Sequence, residues 1–239
     1  MAVASTISPS GMTLAGKYGI GVISIGSSST EGLAALSTQW SFAEQAAKKH
    51  GATVDRKNWR VLLSWHIAET REQARREAGA GLMRWNNEYV HTTLKRPGSV
   101  MFKSPDEAVD LTAFVPGAAT VIGIPDDLVE AILKLQHLTG GFGTLIGFMH
   151  DWANRENTLR SWDLVARYVI PKVQGLLKHY VESREYVITH RDSFELAGRA
   201  VLNKIMEHEG AAKALEQTHG SRLAMPGHHA PDFDKRNKA

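Results

Sequence analysis

Short apolar runs alternate with long amphipathic stretches along this chain. Residues 1–6 (Met-Ala-Val-Ala-Ser-Thr) predict a strand. Ser8-Pro9-Ser10 then opens a helix through Tyr18, and Gly19 ends it. Proline at the first helical position and glycine just past the last is the expected asymmetry. Val22–Ile25 predicts a second strand. The next helix starts at the capping box Ser28-x-x-Glu31 and stops at His50, before Gly51. Arg60–Ala68 predicts a third strand, and Thr70-x-x-Gln73 caps a charged helix reaching about Leu94. Residues 95–124 are expected to be irregular apart from a short helix capped at Ser104-Pro105-Asp106-Glu107. An insertion that long inside a compact domain is often functional. Pro125 starts another helix through Leu138, and Gly140-Gly141-Phe142-Gly143 is a turn. Thr144–Met149 predicts a fourth strand, covered by a helix from Asn154 to about His179.

Strand–helix alternation implies parallel strands with covering helices. The fourfold order fits half of a (β/α)8 barrel, and on periodicity alone it also fits a small doubly wound sheet. Residues 1–180 form this α/β part. Residues 181–224 predict a helical C-terminal extension. Residues 225–239 predict a disordered tail, Pro/His-rich and then charged, with no apolar period.

Composition narrows the chemistry. The chain has 239 residues, 43% hydrophobic, enough to bury one sizeable core. It has no cysteine, which excludes a disulfide framework, a zinc ribbon, an iron–sulfur cluster and a cysteine nucleophile. A formal net charge of +3 is too mild to suggest nucleic acid. Met1-Ala-Val-Ala-Ser has no basic n-region, and no run approaches the roughly 20 apolar residues of a spanning helix. A cytoplasmic protein with no membrane partner is expected.

Alternate residues of a strand face opposite sides. In the third strand Trp59, Val61, Leu63, Trp65 and Ile67 form one wholly apolar face, expected to pack on helices. Arg60, Leu62, Ser64, His66 and Ala68 form the other, expected to look into a barrel with Ser64 and His66 near the carboxyl end. Active sites of such barrels sit at that end. The fourth strand delivers His150, Asp151 and Trp152 to the same end. Histidine suits proton handling near neutral pH, and tryptophan offers a flat face to a planar ligand. The competing readings are a structural, hydrogen-bonded His66 and a helix cap at Asp151 or Asn154 with Trp152 as packing.

Ser8-Pro9-Ser10-Gly11-Met12 follows a strand and opens a helix. Free N–H groups at such a start can cradle a phosphate, helped by the dipole and by nearby hydroxyls. Gly26-Ser27-Ser28-Ser29-Thr30, at the next strand-to-helix turn, is a second candidate of the same kind. Gly19-x-Gly21-x-x-Ser24 is no dinucleotide fingerprint, because its glycines precede a strand. No Gly-x-Ser-x-Gly elbow and no His-Glu-x-x-His spacing occur, so neither a serine nucleophile nor a metal site is expected. Arg71, Arg75, Arg76 and Arg84 interleave with Glu69, Glu72, Glu77 and Glu88, which reads as a solvated face. Trp85 and Tyr89, four apart, read as buried packing.

Three stretches carry a resemblance. Ser8-Pro-Ser-Gly-Met-x-Leu-Ala-Gly-Lys-Tyr-Gly with Gly-Val-Ile-Ser-Ile-Gly resembles the middle of the bacterial luciferase-like flavin monooxygenases. Trp65-His-Ile-Ala-Glu-Thr-Arg-Glu-Gln-Ala-Arg-Arg-Glu is similar to that family's seventh strand and its helix. Gly143-Thr-Leu-Ile-Gly-Phe-Met-His-Asp-Trp-Ala-Asn, with Tyr168-Val-Ile-Pro, is similar to the eighth strand and last helix. Within the family the likeness is to the limonene 1,2-monooxygenase type, and it covers about residues 1–180.

The resemblance implies the C-terminal half of a (β/α)8 barrel. It implies reduced flavin, FMN or FAD, reacting with O2 to oxygenate a small apolar substrate such as a monoterpene. The electrons would come from NAD(P)H directly or through a flavin reductase. It places the flavin phosphate at the loop Ser8-Pro9-Ser10-Gly11-Met12, through Ser8, Ser10, Gly11 and Met12; the turn chemistry adds Gly26 and Ser27 as a second candidate, and the strand ends offer Ser64, His66, His150 and Trp152 as a substrate pocket. The family's catalytic histidine falls in the half this chain does not match, so no catalytic residue is assigned. The chain is therefore expected to form a homo-oligomer or to need a missing N-terminal half. The alternative is a non-catalytic flavin- or phosphate-binding module, an assembly partner, or a truncated and inactive fragment.

Overall fold

The structure is a computed structural model, and it describes residues 1–25, 29–96, 98–114 and 118–219. By internal contacts the chain divides into Met1–Leu177 and a second unit starting at Lys178. The expected tail 225–239 lies outside the described residues.

The first unit is a five-stranded parallel sheet with helices. Strand β1 (Ala2–Ser5) leads into helix α1 (Ser10–Tyr18), and β2 (Gly21–Ser24) leads into α2 (Thr30–His50). Both helices stop at glycines in the left-handed region, Gly19 (φ +62°) and Gly51 (φ +69°). Strand β3 (Trp59–Ile67) is followed by α3 (Arg71–Arg84), which Thr70 caps through the Gln73 N–H. Then come α4 (Pro105–Ala113), β4 (Thr120–Gly123), α5 (Pro125–Thr139), β5 (Thr144–Phe148) and α6 (Arg155–Leu164).

Strand β3 is the hub. Arg60 and Val61 pair with Ile23 and Ser24 of β2, and also with Thr144 and Leu145 of β5, so β2 and β5 flank them. Ser64 pairs with Phe148 of β5 and with Thr120 of β4, so β4 takes the side that β2 leaves after Val61. Strand β4 falls in the stretch expected to be irregular. It has only four residues, and β3 alone supplies its pairing, so local sequence pattern could not announce it.

The apolar face of β3 packs as its parity predicts. Trp59 and Val61 join Met12, Leu36 and Trp40 of α1 and α2, while Leu63 and Ile67 join Leu128 and Ile132 of α5 and Leu164 of α6. The opposite face does not line an open lumen. Ala68 and Ile122 pack against Ala74, Ala78 and Leu82 of α3 and against Ala108 and Val109 of α4. At the carboxyl end of that face α3 and α4 cover Ala68 and Ile122, and Glu77 of α3 meets His66.

Helix α3 continues as a π-helix over Trp85–Thr93. There the backbone bonds run i to i+5, so residues four apart no longer share a face. This separates Trp85, half-buried, from Tyr89, which is exposed and so not the packing residue expected. A second π-helical turn, Val165–Val169, follows α6 and precedes Pro171 in the short helix α7 (Ile170–Val173). Proline has no N–H to give to that turn, and such irregularities collect beside it. The chain then leaves the helix at Gly175 (φ +66°), earlier than expected. The second unit contains α8 (Lys178–Thr189), α9 (Arg191–Met206) and α10 (Glu209–His219).

Candidate functional site

The start of α1 sits at the carboxyl end of β1. Pro9 occupies its cap position, no side chain caps it, and its first turn carries no acidic residue. The exposed Ser8 and Ser10 hydroxyls lie 2.7 Å apart beside it. Gly11 is required for packing, because a Cβ there would sit 2.5 Å from the Ala4 carbonyl oxygen. Met12 is fully buried in the core, so only its backbone belongs to this turn. Gln39 of α2, itself buried, holds the turn from behind by donating its Nε2–H to the Ile7 carbonyl at 2.7 Å. Uncapped N–H groups, hydroxyls and the helix dipole together suit an anion such as a phosphate. Gly26 and Ser27, of the second expected turn, lie outside the described residues.

A second group forms where β3 and β5 end. Ser64 Oγ is hydrogen-bonded to His150 Nε2 at 3.0 Å. The His150 ring stacks on Trp152 at 4.2 Å between centroids and meets Phe148 and Trp85 edge-on. Burial holds the His150 pKa down at about 4, against the opposing charge of Asp151. The imidazole is therefore neutral at physiological pH. Trp152 is buried, and its indole N–H has no hydrogen-bond partner among the described residues.

His66, two residues past Ser64 on the same face, joins a different group. Its Nε2 is 2.9 Å from Glu77 Oε2 of α3. The other Glu77 oxygen accepts from Gln73 Nε2 at 2.9 Å and from Arg160 of α6. Arg160 also faces Glu69 at 3.4 Å. Burial pushes the Glu77 carboxyl up, but the bonds from His66 and Gln73 and the charge of Arg160 outweigh it, leaving the carboxyl below its usual value.

The structure thus brings Ser64, His150 and Trp152 together and keeps His66 in a neighbouring charged network. Ser8 and Ser10 lie at the same carboxyl edge, two strands away, a separation of roughly 10 Å at ordinary strand spacing. An open groove of about 960 Å³ runs instead along α5 and β4, lined by Leu33, Leu63, Phe114, Val121, Leu133 and Leu138. It includes none of the expected site residues. Sequence reasoning missed Gln39, Glu77 and Arg160. Glu77 was hidden by its surroundings, because mixed charges at helical spacing look solvated and only the packing of α3 onto β3 buries it.

The serine-rich turn and the aromatic–histidine cluster both lie at the carboxyl ends of parallel strands, the face on which (β/α)8 barrels carry their sites. No family model matches the chain. It is 38% identical over 205 residues to 4-hydroxyprotoasukamycin monooxygenase of Streptomyces nodosus subsp. asukaensis, covering 83% of this chain and 53% of that protein. It is 37% identical over 174 residues to limonene 1,2-monooxygenase of Rhodococcus erythropolis, covering 73% and 44%. Among solved structures, one match is the oxygenating constituent of 3,6-diketocamphane monooxygenase from Pseudomonas putida, a type II Baeyer–Villiger monooxygenase in complex with FMN. It superposes with a TM-score of 0.54 at 26% identity, covering 72% of this chain and 48% of that one. The chain is a homologue of the luciferase-like monooxygenases and spans about half the length of the curated relatives it matches.

Proposed function

We propose that this chain is the C-terminal half of a luciferase-like, flavin-dependent monooxygenase acting on a small apolar substrate such as a monoterpene. The observation that carries this reading is the uncapped start of α1 at the carboxyl edge of the sheet, in a chain similar to a solved monooxygenase that is in complex with FMN. The N–H groups of Ser10, Gly11 and Met12 and the hydroxyls of Ser8 and Ser10 would hold the phosphate of FMN or FAD. Gly26 and Ser27 would extend that cradle. Ser64, His66, His150 and Trp152 would line the adjoining pocket. Bound and reduced by NAD(P)H, directly or through a flavin reductase, the flavin would supply the electrons that activate O2 for oxygen insertion.

The chain's own residues bind and orient. Gln39 fixes the phosphate turn, and the rings of Trp85, Phe148 and Trp152 pack around His150 at the strand ends. The neutral His150, bonded to Ser64, offers a polar but uncharged wall. Among the described residues, no helix is long and apolar enough to cross a membrane.

A second reading is a non-catalytic flavin- or phosphate-binding module. The cover of α3 and α4 over the His66 face favours it, because that cover narrows access to the strand ends. Oxygen consumption with reduced FMN and limonene separates the two. Substrate-dependent uptake above the rate of free reduced FMN supports the enzyme. Flavin binding without it supports the module.

A further inference from the structure

We propose that the pocket at the end of the π-helix Trp85–Thr93, lined by His91, Thr92, Lys95, Arg96, Ser99 and Met101, binds the phosphate group of a small phosphomonoester. It shares no residue with the turn at Ser8 and Ser10, so the inference stands apart from the flavin reading.

Lys95 follows the π-helix with φ at +48°, and it is the one non-glycine residue with positive φ among the described residues. The Leu94 and Arg96 N–H groups bond back to the Tyr89 and Val90 carbonyls around it. Helices α1, α2 and α5 end on the same conformation with glycine, at Gly19, Gly51 and Gly140. Glycine adopts it freely, whereas a Cβ there crowds the following carbonyl. A lysine kept at such a position points to a use for its side chain.

The charge around it is one-sided. Lys95 and Arg96 are exposed and form no ion pair among the described residues, whereas Arg71, Arg75 and Arg84 of α3 each meet an aspartate. No acidic residue among those described lines the pocket. Two adjacent unpaired cations in a concave site attract an anion. Arginine matches the oxygens of a phosphate with a planar fork, and lysine adds a point charge.

The walls are held in place. Asn86 donates to the Val100 carbonyl at 2.7 Å, and Asn87 donates to the Phe102 carbonyl at 2.8 Å while accepting the Phe102 N–H at 2.9 Å. His91 donates from Nδ1 to the Ser99 carbonyl at 3.1 Å. The π-helix thus pins residues 99–102 against itself, and π-helical turns are frequent at functional sites. The Thr92 and Ser99 hydroxyls are already given to the Asn87 and Arg96 carbonyls, so the cations are the groups left to hold the anion. The pocket measures about 430 Å³, more than a bare phosphate fills, and Met101, 57% exposed, gives it an apolar side for an organic body.

The test is NMR of the histidine rings in the full chain, labelled with 13C and with the His91 signal assigned by His91→Gln. AMP, inorganic phosphate and acetate are the probes, at constant ionic strength. AMP should shift the His91 signal saturably, inorganic phosphate more weakly, and acetate least. Arg96→Ala should weaken the AMP effect about tenfold, the loss of a charge-assisted bond. Ser8→Ala with Ser10→Ala should leave it unchanged. Lys95→Gly should weaken AMP too, yet raise the melting temperature by about 2 °C as the backbone relaxes. A lower melting temperature for Lys95→Gly would show that the lysine is kept for stability and overturn the proposal. A His91 signal that ignores AMP and phosphate, or an AMP effect untouched by Arg96→Ala and Lys95→Gly, would overturn it as well. Equal affinity for AMP and inorganic phosphate would overturn the ester and assign the site to the free ion.

Discussion

Ser64 Oγ and His150 Nε2 lie 3.0 Å apart, although 86 residues separate them in sequence. The bond ties the end of β3 to the residues just past β5. Ser64→Ala removes it and leaves the half-buried imidazole without a partner. A loss of about 1 kcal/mol is expected, read as a shift of the urea midpoint with unchanged slope.

His150 should make stability depend on pH. Its pKa is about 4 in the fold, against 6.5 when unperturbed. Between those values the unfolded chain takes up a proton that the folded chain refuses. Stability is therefore complete above about pH 6.5 and falls as the pH drops toward 4. Allowing for solvent screening, the loss should be about 1–2 kcal/mol. Urea titrations at pH 7 and pH 5 check it, and the difference between the two should shrink in His150→Gln.

Two glycine substitutions should act in opposite directions. A Cβ on Gly81 would sit 2.1 Å from the Trp152 carbonyl oxygen, backbone against backbone. Gly81→Ala is expected to cost about 3 kcal/mol or more, because neither helix nor loop can give way cheaply. Gly198, inside α9, has nothing within 4 Å of such an atom. Gly198→Ala should instead stabilise its helix by roughly 0.5–1 kcal/mol. Thermal melts of both variants, followed by tryptophan fluorescence and by circular dichroism, separate the two effects.

Much of the layout was legible because it is local. Pro9 and Gly19 bracket α1, Thr70 caps α3, and the alternation Trp59, Val61, Leu63 marks the packed face of β3. The parts that were not legible are tertiary. Strand β4 exists because β3 offers an unpaired side beyond Val61. Glu77 is a partner of His66 only because α3 folds over the face that a closed barrel would keep for its interior. The pairing of Ser64 with His150 was within reach, since both were placed at carboxyl strand ends, but their contact depended on the register of β5 against β3.

Open edges bear on assembly. Among the described residues β1 and β5 each pair on one side alone, and Phe148 and Met149 beside the β5 edge are exposed. Unpaired strand edges with apolar neighbours invite pairing. The purified chain is expected to be a dimer or larger in multi-angle light scattering. A stable monomer at micromolar concentration would contradict this.

Titration of FMN with the purified full chain, followed by flavin fluorescence, tests the central claim most directly. A saturable change in emission is expected. The pair of substitutions Ser8→Ala and Ser10→Ala should weaken it about tenfold, as the hydroxyls would bond a charged phosphate. An FMN emission curve unchanged by added protein would contradict the account.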